Sequence, residues 1–173
     1  NIQNISVSSI ARQAGIGKGS IYYYFSSKDE ILDALIKRTY AGALELAKEL
    51  VQHTELSIYS RLAQITNACI AATSDFLKRS AVTQGKKNAT ERIFDSAYIH
   101  HQFMKYSIID FKDIYAEIIQ QEIDKGTIQF DSAAEIAEIV LIVLTVKIDN
   151  TLSPSSDEET AKTLQTLITL LER

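Results

Sequence analysis

Pro154 is the only proline in this 173-residue sequence, and only six residues are glycine. These are the two residue types that interrupt helices. Proline lacks the N–H and clashes with the preceding turn, and glycine gains too much backbone freedom. A chain so poor in both is free to run in long helices. Apolar residues recur along it at the i, i+3, i+4, i+7 spacing of amphipathic helices. Strands of alternating Val and Thr between turn residues are absent, so a β-sandwich is excluded. The expected fold class is all-α.

The spacing predicts where those helices lie. Val7, Ile10, Ala11 and Ala14 form one apolar face, with Ser6 at the N-cap place and Gly15 at the left-handed C′ place. A second short helix is expected over about 18–24, with Ile21 and Phe25 one turn apart. Ser27 followed three residues later by Glu30 is a capping-box pattern opening a helix over about 28–52, with Ile31, Leu32, Leu35, Ile36, Leu46 and Leu50 apolar. Another helix, about 57–79, carries Leu62, Ile65, Cys69, Ala72 and Phe76. Residues 81–90 read as a small, polar connection. Two helices are expected over about 90–103 and 107–125, the second ending at Gly126. Asp131 or Ser132 caps a helix over about 132–150, 153–156 form a break, and 157–172 close the chain. In this last helix Ala161, Leu164, Leu167, Ile168 and Leu171 face inward, with Thr160, Thr163 and Thr166 on other faces.

Residues 136–148 are apolar all round, which calls for cover on several sides. In a chain this short a second subunit is the natural cover. The longest apolar run, 139–144, is far short of the roughly 20 residues a membrane helix needs. Cys69 is the lone cysteine, which excludes an intrachain disulfide framework. With no apolar leader in view, it suits a reducing cytoplasm. It lies on an apolar stripe, as a core filler would. Glycine-rich phosphate loops, H-E-x-x-H and G-x-S-x-G are all absent, so nothing points to catalysis or a cofactor. His100 and His101 are adjacent and diverge on a helix, so no metal site is expected.

Charge is uneven. Residues 1–28 hold Arg12, Lys18 and Lys28 and no acid, giving +3, whereas the remainder carries −7. A basic end on an acidic body fits an anionic partner. Within that end, two short helices are joined by Gly15-Ile16-Gly17, a helix-turn-helix spacing in which the second helix enters the DNA major groove. Gly15 permits the turn, and Ile16 is expected to plug into the core. Gly17 and Gly19 leave backbone N–H groups open at the start of the second helix, which favours phosphate. Tyr22, Tyr23 and Tyr24 step by about 100° each and cannot share one buried face, so at least Tyr23 and Tyr24 are expected outside. Exposed phenols there suit hydroxyl contacts to phosphate and ring contacts to thymine methyls.

Ile10-Ala11, Ala14-Gly15-Ile16, Lys18-Gly19-Ser20-Ile21-Tyr22, Tyr24-Phe25, Ser27-Lys28-Asp29-Glu30 and Leu32 resemble the DNA-binding signature of the TetR family of bacterial transcriptional regulators, over roughly residues 5–40. The resemblance implies a DNA-binding domain over 1–40, with its motif at about 6–25, and a ligand-binding and dimerisation bundle over 41–173. It implies a homodimer paired through about 132–150 and 157–172. The partner would be a double-stranded palindromic operator, released on binding an unidentified small molecule. DNA contacts carry over to Ser6, Ser8, Lys18, Gly19, Ser20, Tyr22, Tyr23, Tyr24 and Lys28. The sequence departs from the family at Gly17, where serine or threonine is common, and at Tyr24, where histidine is frequent. The family's first helix would precede the motif, so a chain starting at Asn1 is expected to bind DNA poorly.

Polar or aromatic residues on otherwise apolar helices are the candidates for a ligand pocket: Tyr98, His101, Phe103, Phe111, Tyr115 and Lys147. Two other readings compete. One is a DNA-binding protein of the same fold governed by a protein partner, which a bundle without a cavity would favour. The other is a helical interaction module with no DNA role.

Overall fold

The amino-terminal helices start and stop where local chemistry dictates. The computed structural model describes residues 6–83, 97–149 and 155–172, with side chains over 6–76, 101–148 and 155–172. Among the described residues there are seven helices and no strand. α1 (Val7–Ala14) is capped by Ser6, whose Oγ accepts from Ser9 N–H at 3.1 Å, and ends at Gly15 with φ +69°. α2 (Lys18–Tyr24) follows, then α3 (Lys28–Gln52), whose first turn is capped by Ser27. α4 (Ile58–Thr83) extends beyond its expected end, so 81–83 are helix and not connection; 84–90 lie outside the described residues.

The expected pair of helices at 90–103 and 107–125 is corrected to one, α5 (Ala97–Asp124), with 90–96 outside the described residues. No proline or glycine lies within α5, and Phe103 and Tyr106 are both buried, so the apolar stripe runs on without a break. Gly126 stops the helix at φ +77°, its N–H bonding Ile123 C=O at 2.9 Å. α6 (Ala133–Asp149) begins after Ser132, whose carbonyl accepts from Ile136 N–H at 3.0 Å. The break at 153–156 is described only from 155 onward. α7 (Asp157–Leu171) opens with a full capping box. Glu159 N–H donates to Ser156 Oγ at 3.2 Å, and Ser156 N–H donates to the Glu159 carboxylate at 2.7 Å.

α3 packs on α4 and α5, α5 most extensively on α6, and α7 on α4 and α6. Ile36, Ala47, Leu62, Ile65, Ile118, Val140 and Leu164 lie at the centre of the resulting core. Two expectations about facing are corrected. Leu35 is exposed, because its neighbours Leu32 and Ile36 take the inward face of α3. Thr160 is buried, and the core accepts it because its hydroxyl donates to Ser156 C=O at 3.1 Å.

One polar cluster lies inside this core. Arg61 of α4 is fully buried and donates to Glu122 Oε1 at 2.7 Å and Gln121 Oε1 at 2.6 Å, both on α5. Lys125 donates to the same Glu122 oxygen at 2.8 Å and to Thr54 C=O at 2.9 Å, and Gln121 Nε2 donates to Val51 C=O at 3.2 Å. The cluster therefore ties the end of α3 to α4 and α5. Sequence reading missed it, because its main partners are about sixty residues apart.

Candidate nucleic-acid interface

The turn between α1 and α2 is a Schellman motif. Ile16 N–H bonds Ala11 C=O at 3.0 Å and Gly15 N–H bonds Arg12 C=O at 3.3 Å, with Gly15 left-handed. Ala11 and Ile21 are buried as α1 and α2 pack together. Ile16 is not plugged into the core; the turn leaves it half exposed, since no described residue covers it. Gly17 supplies no side-chain cap to α2.

Burying Ile21 decides what the rest of α2 presents. Tyr23 is 82 % exposed, Tyr24 72 % and Tyr22 48 %. The rings of Tyr23 and Tyr24 meet edge to face, with centroids 4.9 Å apart and planes at 85°. Lys18 Nζ lies 5.6 Å from the Tyr22 ring centroid. Ser8, Lys18, Gly19 and Ser20 are exposed, and Lys28 is half-buried at the start of α3. Ser6 is exposed with its hydroxyl engaged in the α1 cap. The candidate DNA-contacting residues thus sit on α1, α2 and the first residue of α3.

The turn into α3 is locked differently from the expected capping box. Glu30 N–H donates to Ser27 Oγ at 3.1 Å, but the Glu30 carboxylate bonds Ser26, accepting from its hydroxyl at 2.7 Å and its N–H at 2.6 Å. The Ser26 hydroxyl, then its N–H, holds the Glu30 carboxyl below its ordinary 4.5.

Residues 1–35 match the family model of the bacterial regulatory proteins, tetR family. The chain carries a TetR-family domain. Its α1 and α2 are therefore a helix-turn-helix of DNA-binding transcriptional regulators. No curated protein matches the chain. Among solved structures, the TetR-family regulator PfmR from Thermus thermophilus superposes with TM-score 0.60 at 17 % identity, over 99 % of this chain and 92 % of that one. A TetR-family regulator from Mesorhizobium loti superposes with TM-score 0.60 at 15 % identity, over 98 % and 86 %. A transcriptional regulator from Cytophaga hutchinsonii does so with TM-score 0.53 at 20 % identity, over 99 % and 88 %. The likeness beyond the TetR-type domain is thus one of fold.

The pocket candidates are spread along the bundle. Phe103 is buried between Tyr40 and Phe76, with ring centroids at 5.8 Å and 5.9 Å. Phe111 and Tyr115 are buried further along α5, and burial pushes the Tyr115 phenol pKa upward. Cys69 is buried, its thiol pushed up to about 12 by desolvation, as suits a core filler rather than a nucleophile. His101 is exposed, and Lys147 is half-buried with Nζ 3.0 Å from Ser155 Oγ. The side chain of Tyr98 lies outside the described residues. Sequence reading missed Gln102, whose Oε1 is buried without a hydrogen-bond partner. Among the described residues no helix is long and apolar enough to cross a membrane.

Proposed function

We propose that this TetR-type chain is a ligand-released repressor that binds a palindromic operator as a homodimer. The observation that carries the DNA reading is the second helix of the motif, with three tyrosines outward on a basic end. Its contacts are Ser6, Ser8, Lys18, Gly19, Ser20, Tyr22, Tyr23, Tyr24 and Lys28, the last joining the phosphate backbone at the start of α3. Phosphate contacts of this kind make affinity fall steeply with salt.

Dimerisation is supported by what one chain leaves uncovered. On α6, Ile139 is 58 % and Ile142 43 % exposed, and on α7 Leu170 is 56 % exposed. A second copy laid on α6 and α7 covers these side chains, as a bundle dimer does. Two recognition helices then face successive major grooves about 34–36 Å apart. We divide the chain at residue 40, within α3, which links the motif to the bundle core through Leu32, Ile36, Tyr40 and Leu50.

For the effector, Phe103 with Tyr40 and Phe76 offers aromatic walls, which suit an aromatic or apolar molecule. The effector shifts the equilibrium only by its differential affinity for the two dimer spacings. Fluorescence anisotropy with DNA from upstream of the chain's own gene tests the reading. Salt-sensitive binding is expected, with Lys18→Ala, Tyr23→Ala and Lys28→Ala together abolishing it while leaving the dimer intact. Absent or salt-insensitive binding by the full-length dimer rejects it.

A further inference from the structure

Side chains that read base edges by hydrogen bonds are Arg or Lys for guanine, Asn or Gln for adenine, Asp or Glu for cytosine, and Ser or Thr less selectively. Over residues 17–25 only Lys18 and Ser20 are of these types, and Lys18 Nζ lies 5.6 Å from the Tyr22 ring centroid. Most of the exposed surface of α2 is instead a wedge of two phenol rings, Tyr23 and Tyr24, joined edge to face and both mostly exposed. Tyr23 lies about 200° around the helix from the buried Ile21, on the outermost ridge. Gly19, one turn earlier, shares that ridge. A Cβ built on Gly19 meets no atom within 4 Å, and its backbone is not left-handed. The described chain therefore gives no steric reason for a glycine there, although glycine is a poor helix former.

The major-groove edge of a base pair carries one apolar substituent, the C5-methyl of thymine. We infer that α2 reads thymine, its half-site being recognised by methyl groups packed on the Tyr23–Tyr24 wedge while Gly19 lets the groove edge approach the helix backbone. The inference rests on the DNA-binding reading above and names the base class that this site takes. Lys18, drawn toward Tyr22, supplies charge on the flank of the wedge.

The test starts from duplexes selected by the full-length protein out of a random pool. Thymines in the selected half-site are then replaced one at a time by deoxyuridine, which removes only the methyl. At one or two positions per half-site the affinity is expected to fall about fourfold, the effect of unburying one methyl. Tyr23→Ala is expected to erase that difference. Tyr23→Phe, which keeps the ring and loses the hydroxyl, is expected to retain it. Tight, sequence-selective binding that is indifferent to deoxyuridine at every position overturns the thymine inference and leaves the DNA-binding reading standing. Failure to select any sequence overturns both.

Discussion

An alanine at position 15 would have to hold φ near +69°, where its Cβ meets the backbone of its own residue. Gly15→Ala is therefore expected to destabilise the protein by about 1–2 kcal/mol, a drop of a few degrees in melting temperature. Gly19→Ala runs the other way: at a helical, open position it is expected to stabilise by about 1 kcal/mol in a thermal melt while lowering DNA affinity. Glu30 gives a pH signature. Its folded pKa is depressed, so its contribution is complete above the unfolded value near 4.5 and is lost as pH falls through the lowered folded value. The melting-temperature difference between the wild type and Glu30→Gln is expected to be largest above pH 4.5 and to shrink as the pH falls below it. Ser6, Gly15 and Ser27 were legible in the sequence because a cap is chemistry within four residues. The Glu30 contact with Ser26 was not, because serines 26 and 27 offer the same groups one residue apart.

Helix placement followed from periodicity where the apolar stripe kept its phase, as in α3 and α7. It failed in α5, where the gap expected at 104–106 holds Tyr106, buried three residues after the buried Phe103 and so on the same helical face. With no proline or glycine present, the helix runs on through that gap. Between elements, the least legible contact is Arg61 with Glu122, since neither position differs locally from a surface charge. Arg61→Met is expected to cost about 3–5 kcal/mol in urea unfolding, because Glu122 stays buried with less compensation. Adding Glu122→Leu is expected to recover much of that loss, since an apolar pair of similar volume removes the uncompensated charge.

At the scale of the whole molecule, the apolar face of α6 and α7 is a specific liability unless a second copy covers it. Ile139→Glu with Leu170→Glu is expected to yield monomers in sedimentation, and to weaken operator binding by far more than either head's own contacts would suggest. The all-round apolar pattern over 136–148 made that face visible in the sequence. The placement of an effector was not visible, because a core aromatic and a pocket aromatic have the same spacing. The Arg61 cluster has a mechanical corollary. It grips the Val51 and Thr54 carbonyls, so the far end of α3 is anchored while Lys28 lies at the opposite tip. A rod of 25 residues is about 37 Å long, so each degree of tilt about that fulcrum carries the tip roughly 0.6 Å sideways. In the proposed dimer, a few degrees of swing would be enough to carry each tip a couple of ångströms out of step with its groove.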